Sequence, residues 1–414
     1  MLRAPLRRFV MRWSLLWLSL LLAACPAGGP PATDDDDDAD DDSGDDDDDS
    51  GDDDDDSSPE PLCVPDAAYC DGTLAMLCDE DGLTAVVVED CFPDRVCHGG
   101  ACIDACDLAA QQNNYLGCDF LAVSTLNTSL GAGFAGDFAV VVGAPQLGRD
   151  ANIEVSRGGV PVSSQLVLAG TSAALTLPMV PALQQAGGSL FANASSATVP
   201  GAAYEVHSDV PVVAYQFNPL HFTTSALAYS YSNDASLLLP EHALTGTYRV
   251  LTWNTWPYSP FVQYRGFVAI AATQDGTVVT FASASATADG VPAALSPGEI
   301  TTINLDRGDV VQILSGPSLD DDLSGSVITA TAPVATFVGH DCTTMPWDQP
   351  ACDHLEEMSF PVETWGALIP VAALRHPDGV GQALARTRIQ ARTGGVSLTF
   401  EPAVHGPTTL GNGE

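Results

Sequence analysis

The chain has 414 residues, room for two or three domains, and an ordinary hydrophobic content of 45%. Its formal net charge is −40, from 54 acidic residues against 14 basic ones, and every basic residue is an arginine. A chain this acidic repels phosphate backbones, which argues against nucleic acid as a partner.

In residues 1–25, Arg3, Arg7, Arg8 and Arg12 accompany an apolar run at 13–22 that is too short to span a bilayer. This pattern predicts a secretory signal peptide. The junction Leu22-Ala23-Ala24-Cys25 resembles the lipobox of bacterial lipoproteins. That resemblance implies acylation of Cys25 as the new N-terminus and a membrane attachment through it, each buried CH₂ contributing about 0.8 kcal/mol. Pro26, rather than aspartate, follows the cysteine. By the same analogy the chain is expected in a bacterial cell envelope, on an outer membrane and facing the exterior. Residues 26–61 consist largely of aspartate runs separated by Ala39, Ser43-Gly44 and Ser50-Gly51. Like charges at this density keep a chain solvated and extended, so the expectation is a disordered, Asp-rich linker. At roughly 3.3 Å per residue it spans on the order of 100 Å when fully stretched.

Residues 62–118 form a different kind of segment. Cys63, Cys70, Cys78, Cys91, Cys97, Cys102, Cys106 and Cys118 are interleaved with turn pairs such as Asp71-Gly72, Asp81-Gly82 and Gly99-Gly100. An exported segment of this size buries little apolar surface, and disulfides supply what the core lacks. The connectivity is open at this level. With His98 as its one histidine and no CxxC pair, the segment is a poor zinc site.

Beyond Cys118 the texture is all-β. Short runs rich in Val, Ile, Thr, Phe and Tyr alternate with turn residues, and only 181–186 suggests a short helix. Two stretches repeat: YEVHSDVPVVAYQF at 204–217 and VITATAPVATFVGH at 327–340, whose Pro211 and Pro333 stand 122 residues apart. Each reads as a strand, a turn at the Pro-Val step and a second, buried strand. Residues 266–281 recur at 388–400 with a spacing of 119, and a looser earlier copy opens at Phe138. The predicted fold of 119–414 is therefore tandem β-sandwich-like repeats of about 120 residues, with a propeller-like arrangement as the alternative. Residues 367–414 read as an incomplete unit, since they lack a counterpart of the predicted strand at 300–305.

Several groups invite chemistry. His340-Asp341-Cys342 and Cys352-Asp353-His354 form a mirrored pair that resembles a zinc-ligand set. In an exported protein, a disulfide between Cys342 and Cys352 is the expected use of these thiols. The loop they would close carries Trp347 and Asp348, and with Asn218 and His221 after the first repeat these are the candidate binding-loop residues. Arg307-Gly308-Asp309 lies between two predicted strands and reads as turn chemistry. The chain has no Gly-x-Ser-x-Gly elbow, no His-Glu-x-x-His and no Gly-rich phosphate loop. No catalytic set, metal or cofactor is therefore expected, and His207, His242, His376 and His405 are scattered singly.

Four stretches carry a family resemblance: GCDFLAV at 117–123, PVVAYQF at 211–217, SNDASLLLP at 232–240, and CDHLEE at 352–357 with Thr364-Trp365-Gly366. In these, residues 115–414 resemble the N-terminal domain of IgG Fc-binding proteins, a domain of animal mucosal secretions and of bacterial lipoproteins. The resemblance implies a non-catalytic, surface-anchored binding protein whose partner is an extracellular protein or a glycan. It assigns no binding residue. A structural envelope protein and an unrecognised extracellular hydrolase are the alternatives.

Overall fold

A computed structural model of the chain describes residues 61–414 apart from 93–94, 113, 129–133, 146–147, 186–192, 225–232, 260–261, 345–351, 373–379, 382–386, 403–405, 407 and 412–414. The expected signal peptide, Cys25 and Asp-rich linker, together with Trp347 and Asp348, lie outside the described residues.

Turn pairs and cysteines, rather than apolar runs, organise the first part. Asp71-Gly72 leads the hairpin from β1 (Ala68–Asp71) to β2 (Leu74–Cys78), which also pairs with β3 (Ala85–Asp90). A second hairpin joins β4 (Arg95–His98) to β5 (Ala101–Asp104) around Gly99-Gly100, both at positive φ. Asp104 then caps α1 (Ala105–Gln111), its Oδ1 accepting from the N–H groups of Cys106 and Asp107. On β3, Val86, Val87 and Val88 are all exposed, so the segment is not held by a core of its own. Disulfides hold it instead: Cys63 to Cys78, Cys70 to Cys97, Cys91 to Cys102, and Cys106 to Cys118. Bridges of this kind contribute about 2–4 kcal/mol each. The last of them ties α1 to the strand that opens the β region.

That region begins with β6 (Gly117–Ala122), β7 (Phe134–Gly136), β8 (Phe138–Gly143), β9 (Ala151–Arg157), β10 (Val160–Val167) and β11 (Ser172–Leu177). After one turn of helix, α2 (Pro181–Gln184), come β12 (Ala197–Val199), β13 (Tyr204–Phe217), β14 (Phe222–Thr224) and β15 (Ala235–Leu238). The first half of β13 pairs with β6 and β9, and its second half with β8 and β15. Strand β10 flanks β9, and β11 flanks β8. The turn expected at Pro211-Val212 does not form: β13 runs unbroken for 14 residues and passes from one sheet to the other. Its register against β6 slips between His207 and Val212, and a proline is tolerated at that crossing because no ladder hydrogen bond is asked of its nitrogen.

The second set comprises β16 (Thr247–Arg249), β17 (Trp256–Ser259), β18 (Val262–Tyr264), β19 (Gly266–Ala272), β20 (Thr277–Ala282) and β21 (Ile300–Leu305), then β22 (Val310–Leu314), β23 (Val327–Ala330), β24 (Val334–Thr343) and β25 (Asp353–Met358). Its sheets run β16-β23-β20-β21 and β22-β19-β24-β25, with β12 added beyond β22. The first set runs β6-β13-β9-β10 and β11-β8-β13-β15, which is the same order strand for strand. Register agrees as well. Tyr215 faces Leu237 across β13 and β15, and Phe337 faces Met358 across β24 and β25. In this copy the chain does break at Pro333, giving β23 and β24 as separate strands. A last hairpin pairs β26 (Val396–Leu398) with β27 (Thr408–Leu410).

The two copies share a core. Ala269, Ala271, Val310, Ala335, Phe337 and Met358 of the second set join the cluster formed by the first, around Phe120, Phe138, Ile153 and Tyr204. The alternate residues Val268, Ile270, Val311, Ile313, Val334 and Val338 pack inside the second sandwich with Tyr248 and Phe281. A sheet covered on both faces needs apolar or small residues at every position, and GFVAIAA on β19 is buried throughout.

Candidate functional site

The segments that follow β6 and β16 carry a short repeat: Thr-Leu-Asn-Thr at 125–128 and Thr-Trp-Asn-Thr at 252–255, 127 residues apart. Both leave a strand and run across the open end of a sandwich, so their backbone groups need partners from elsewhere.

For 125–128 those partners come from both copies. The Gln216 side chain spans Val123, accepting from its N–H at 2.9 Å and donating to its carbonyl at 3.0 Å. Asn218 donates to Thr125 O at 3.1 Å and Oγ1 at 2.8 Å. From the second copy, Gln312 accepts from Leu126 N–H at 2.9 Å, and Asp341 accepts from Thr128 N–H at 2.8 Å and Oγ1 at 2.7 Å. Glu356 gathers Thr125 Oγ1, Gln216 Nε2 and Asn218 Nδ2, and lies 3.6 Å from His354 Nε2. All of these side chains are buried except Thr128, which is half-buried. Burial raises the Asp341 carboxyl above its ordinary range, against the two Thr128 hydrogen bonds. For His354 burial acts to lower the value, and the neighbouring Glu356, Asp234 and Asp341 outweigh it, so the imidazole is pushed up. The result is a buried, densely bonded polar seam, in which His354 Nε2 stops 3.6 Å short of Glu356 without a hydrogen bond.

Residues 252–255 meet different surroundings. Thr252 Oγ1 donates to Asp322 at 2.9 Å, Asn254 Nδ2 to Leu319 O at 3.1 Å, and Thr255 Oγ1 to Gly316 O at 2.7 Å. His340 sits 122 residues after Asn218, at the equivalent point of its strand, and its Nε2 lies 3.1 Å from Asn254 O. Burial drives that imidazole down to about 3, so it stays neutral. The far side of 252–255 is open. A cleft of about 730 Å³ runs along Trp253, Asn254 and Trp256 to Leu319, Asp320 and Asp322. It continues past Arg388 into hollows of about 480 and 330 Å³ beside Leu251, Val338 and Glu357. Hairpin β17–β18 supplies an aromatic wall, with Trp256 stacked on Tyr264 at 5.6 Å and edge-on to Tyr258 at 5.3 Å. Burial and nearby carboxylates push the Glu357 carboxyl up to about 7.

The residues singled out in the sequence fall elsewhere. Asn218 is completely buried in the seam and offers nothing to a ligand; it is a core residue, not a binding-loop residue. His221 is exposed, away from the cleft residues. Cys342 and Cys352 are joined as a disulfide, which removes both thiolates from any zinc set, while His340 and His354 are buried. Arg307 and Asp309 are engaged within the fold, Arg307 with Glu205 and Glu241 and Asp309 with Gly201 N–H. Of Trp253, Trp256, Asp322 and Arg388, only Trp253 lies in the second Thr-x-Asn-Thr, and nothing in the sequence linked Asp322 or Arg388 to it.

Residues 234–414 match the family model described as IgGFc binding protein. Over these residues the chain is similar to the IgGFc-binding protein family. The matched part takes in β15, the whole second sandwich and the cleft, whereas the resembling stretches at 117–123 and 211–217 lie outside it. A curated relative, the IgGFc-binding protein of Homo sapiens, is 29% identical over 174 residues, which is 42% of this chain and 3% of that protein. The chain thus corresponds to a small part of the relative's length. No solved structure matches.

Proposed function

We propose that the chain is a non-catalytic binding protein of the bacterial cell surface that captures an extracellular glycoprotein or polysaccharide in the cleft beside residues 252–255. The observation that carries the reading is the composition of that cleft, which Trp253, Trp256 and Pro257 line together with Asp320 and Asp322. Aromatic faces pack against the C–H faces of sugars and against apolar side chains, and carboxylates accept from hydroxyl or amide donors. A preformed hollow with few, fixed polar groups on a rigid β scaffold is suited to recognition. The lipobox-like Leu22-Ala23-Ala24-Cys25 and the Asp-rich linker support attachment through Cys25 and display of the domain away from the membrane.

Binding of the full chain to a glycan array and to immobilised glycoproteins, with an immunoglobulin Fc region included because of the human relative's name, tests the reading. Saturable binding is expected, weakened about 30-fold or more by Trp253→Ala with Trp256→Ala, as for aromatic hot spots. Saturable binding to no member of the panel would overturn it. Fatty-acid labelling of the chain, absent from Cys25→Ala, is the expected result for the anchor.

A further inference from the structure

One residue in the cleft behaves as a ligand would. Arg388 belongs to the segment 387–390, which has no regular structure and lies along the outer side of residues 250–252. Its guanidinium carbon sits 4.1 Å from the centroid of the Trp253 ring. Nη2 donates to Asp322 Oδ2 at 2.9 Å, and Nη1 donates to Thr252 O and, at 3.3 Å, to Ser324 Oγ. Two residues on, Gln390 Nε2 donates to Val250 O at 3.1 Å. Alternate side chains of an extended segment thus reach alternate carbonyls of a strand end.

The receiving groups are held without Arg388. Asp322 Oδ1 accepts from Thr252 Oγ1 at 2.9 Å, Ser324 N–H at 2.9 Å and Ser324 Oγ at 2.7 Å, which fixes the plane of the carboxylate and leaves Oδ2 for the cation. Burial raises the Asp322 carboxyl, but the Ser324 hydrogen bonds and the Arg388 charge together bring it below its ordinary range, so it is ionised at neutral pH. An indole face, a fixed carboxylate and a backbone carbonyl around one planar group match a guanidinium and fit an ammonium poorly. Asp320 and the ionised Asp322 on the cleft rim repel an acidic partner and favour a basic one.

We infer that the cleft contains a guanidinium slot, built by Trp253, Asp322, Thr252 and Ser324 and filled in cis by Arg388, which takes an arginine side chain from an extended segment of a partner polypeptide. Segment 387–390 then acts as an internal competitor: a partner whose arginine binds in the slot displaces it and gains the flanking aromatic wall. This names the protein ligand feature recognised by the cleft, and so rests on the reading of the cleft as a ligand surface.

The test uses the full chain with Arg388→Ala and the peptide acetyl-Thr-Arg-Ile-Gln-amide, the sequence of residues 387–390, with tryptophan fluorescence as readout. Saturable binding is expected to Arg388→Ala, with affinity about tenfold lower for the peptide carrying lysine in place of arginine. The unsubstituted chain, whose slot is occupied, and the double variant Arg388→Ala with Asp322→Asn are each expected to bind at least about tenfold more weakly. Arg388→Lys, which keeps the charge and gives up the planar stack, provides the same comparison if Arg388→Ala does not fold as judged by near-ultraviolet circular dichroism. No saturable binding to either folded variant, equal affinity for the arginine and lysine peptides, or indifference to Asp322→Asn would overturn the slot. Capture of the glycan and glycoprotein panel is measured on the same samples. Capture without peptide binding removes only the slot, and peptide binding without capture removes only the glycan or glycoprotein reading.

Discussion

Residues 125–128 and 252–255 start from nearly the same sequence and end in different surroundings. The first is closed over by the second sandwich, whose Gln312, Asp341 and Glu356 supply its missing hydrogen bonds. The second is bonded on one side by the 316–324 loop and left facing a cleft on the other, where Arg388 crosses it. The position of Leu126, wholly buried with Phe267 and Leu314, is taken by Trp253 with one face turned outward to a cation. One scaffold position serves as a structural joint when a neighbour covers it and lines an open cleft in the other copy.

The largest expected contrast tests the two carboxylates. Glu356→Ala removes the acceptor shared by Thr125, Gln216 and Asn218 and leaves His354 buried without its nearest counter-charge, a loss of about 3–5 kcal/mol. Asp322→Asn breaks a pair whose arginine is 36% exposed while keeping an amide oxygen for Thr252 and Ser324, and about 1 kcal/mol or less is expected. Denaturant midpoints of the two variants measure the difference; equal losses would mean that the cleft is as much a joint as the seam. Next in size is the apolar pair. Leu126→Ala opens a hole in a closed cluster and is expected to cost about 2–5 kcal/mol. Trp253→Ala, at a partly exposed site, is expected to cost below about 2 kcal/mol while eliminating the fluorescence response to ligand.

The smallest effect concerns pH. The Glu357 carboxyl is held at about 7 against an ordinary value of 4.5, so between these values the unfolded chain ionises while the folded chain keeps its proton. Its contribution to stability is therefore fully present below about 4.5 and is lost as the pH rises toward 7 and above. Glu357→Gln is expected to flatten that fall in a plot of denaturant midpoint against pH, and only slightly, since the residue as a whole is exposed although its carboxyl is partly desolvated. An unchanged slope would show that the cleft rim does not hold this proton.

Much of the fold could be read in the chain because strand patterns are local. Alternation and β-branched runs placed β8, β9, β13, β19, β20 and β24, and equal spacings pointed to recurring strands, although 388–390, read as a copy of 269–271, forms no strand. The Pro-Val steps were harder. The same dipeptide lies inside one continuous strand at Pro211 and at a break at Pro333, because the outcome depends on whether the flanking residues find a partner strand at the crossing. The site was scarcely legible. Asn218 looked like a loop residue after a strand, yet its amide is consumed by Thr125 and Glu356, 93 and 138 residues away. Arg388 looked like part of a further repeat, yet its guanidinium is fixed by residues 66 and 136 positions earlier.

The amino-acid sequence by itself determined that the chain is all-β beyond Cys118, that strand-forming stretches such as 204–217 and 327–340 resemble one another, and that its cysteines suit disulfides. These follow from residue types and short-range spacing, which act over a few neighbours. Tertiary structure alone decided which copy of Thr-x-Asn-Thr is sealed and which is open. That choice rests on partners such as Gln312 and Glu356, which meet Leu126 and Thr125 across 186 and 231 residues of chain, and no local pattern encodes such a meeting. Packing of the second sandwich against the first buries one segment's polar groups among acceptors, and it leaves the other with a tryptophan, a fixed carboxylate and room for a ligand.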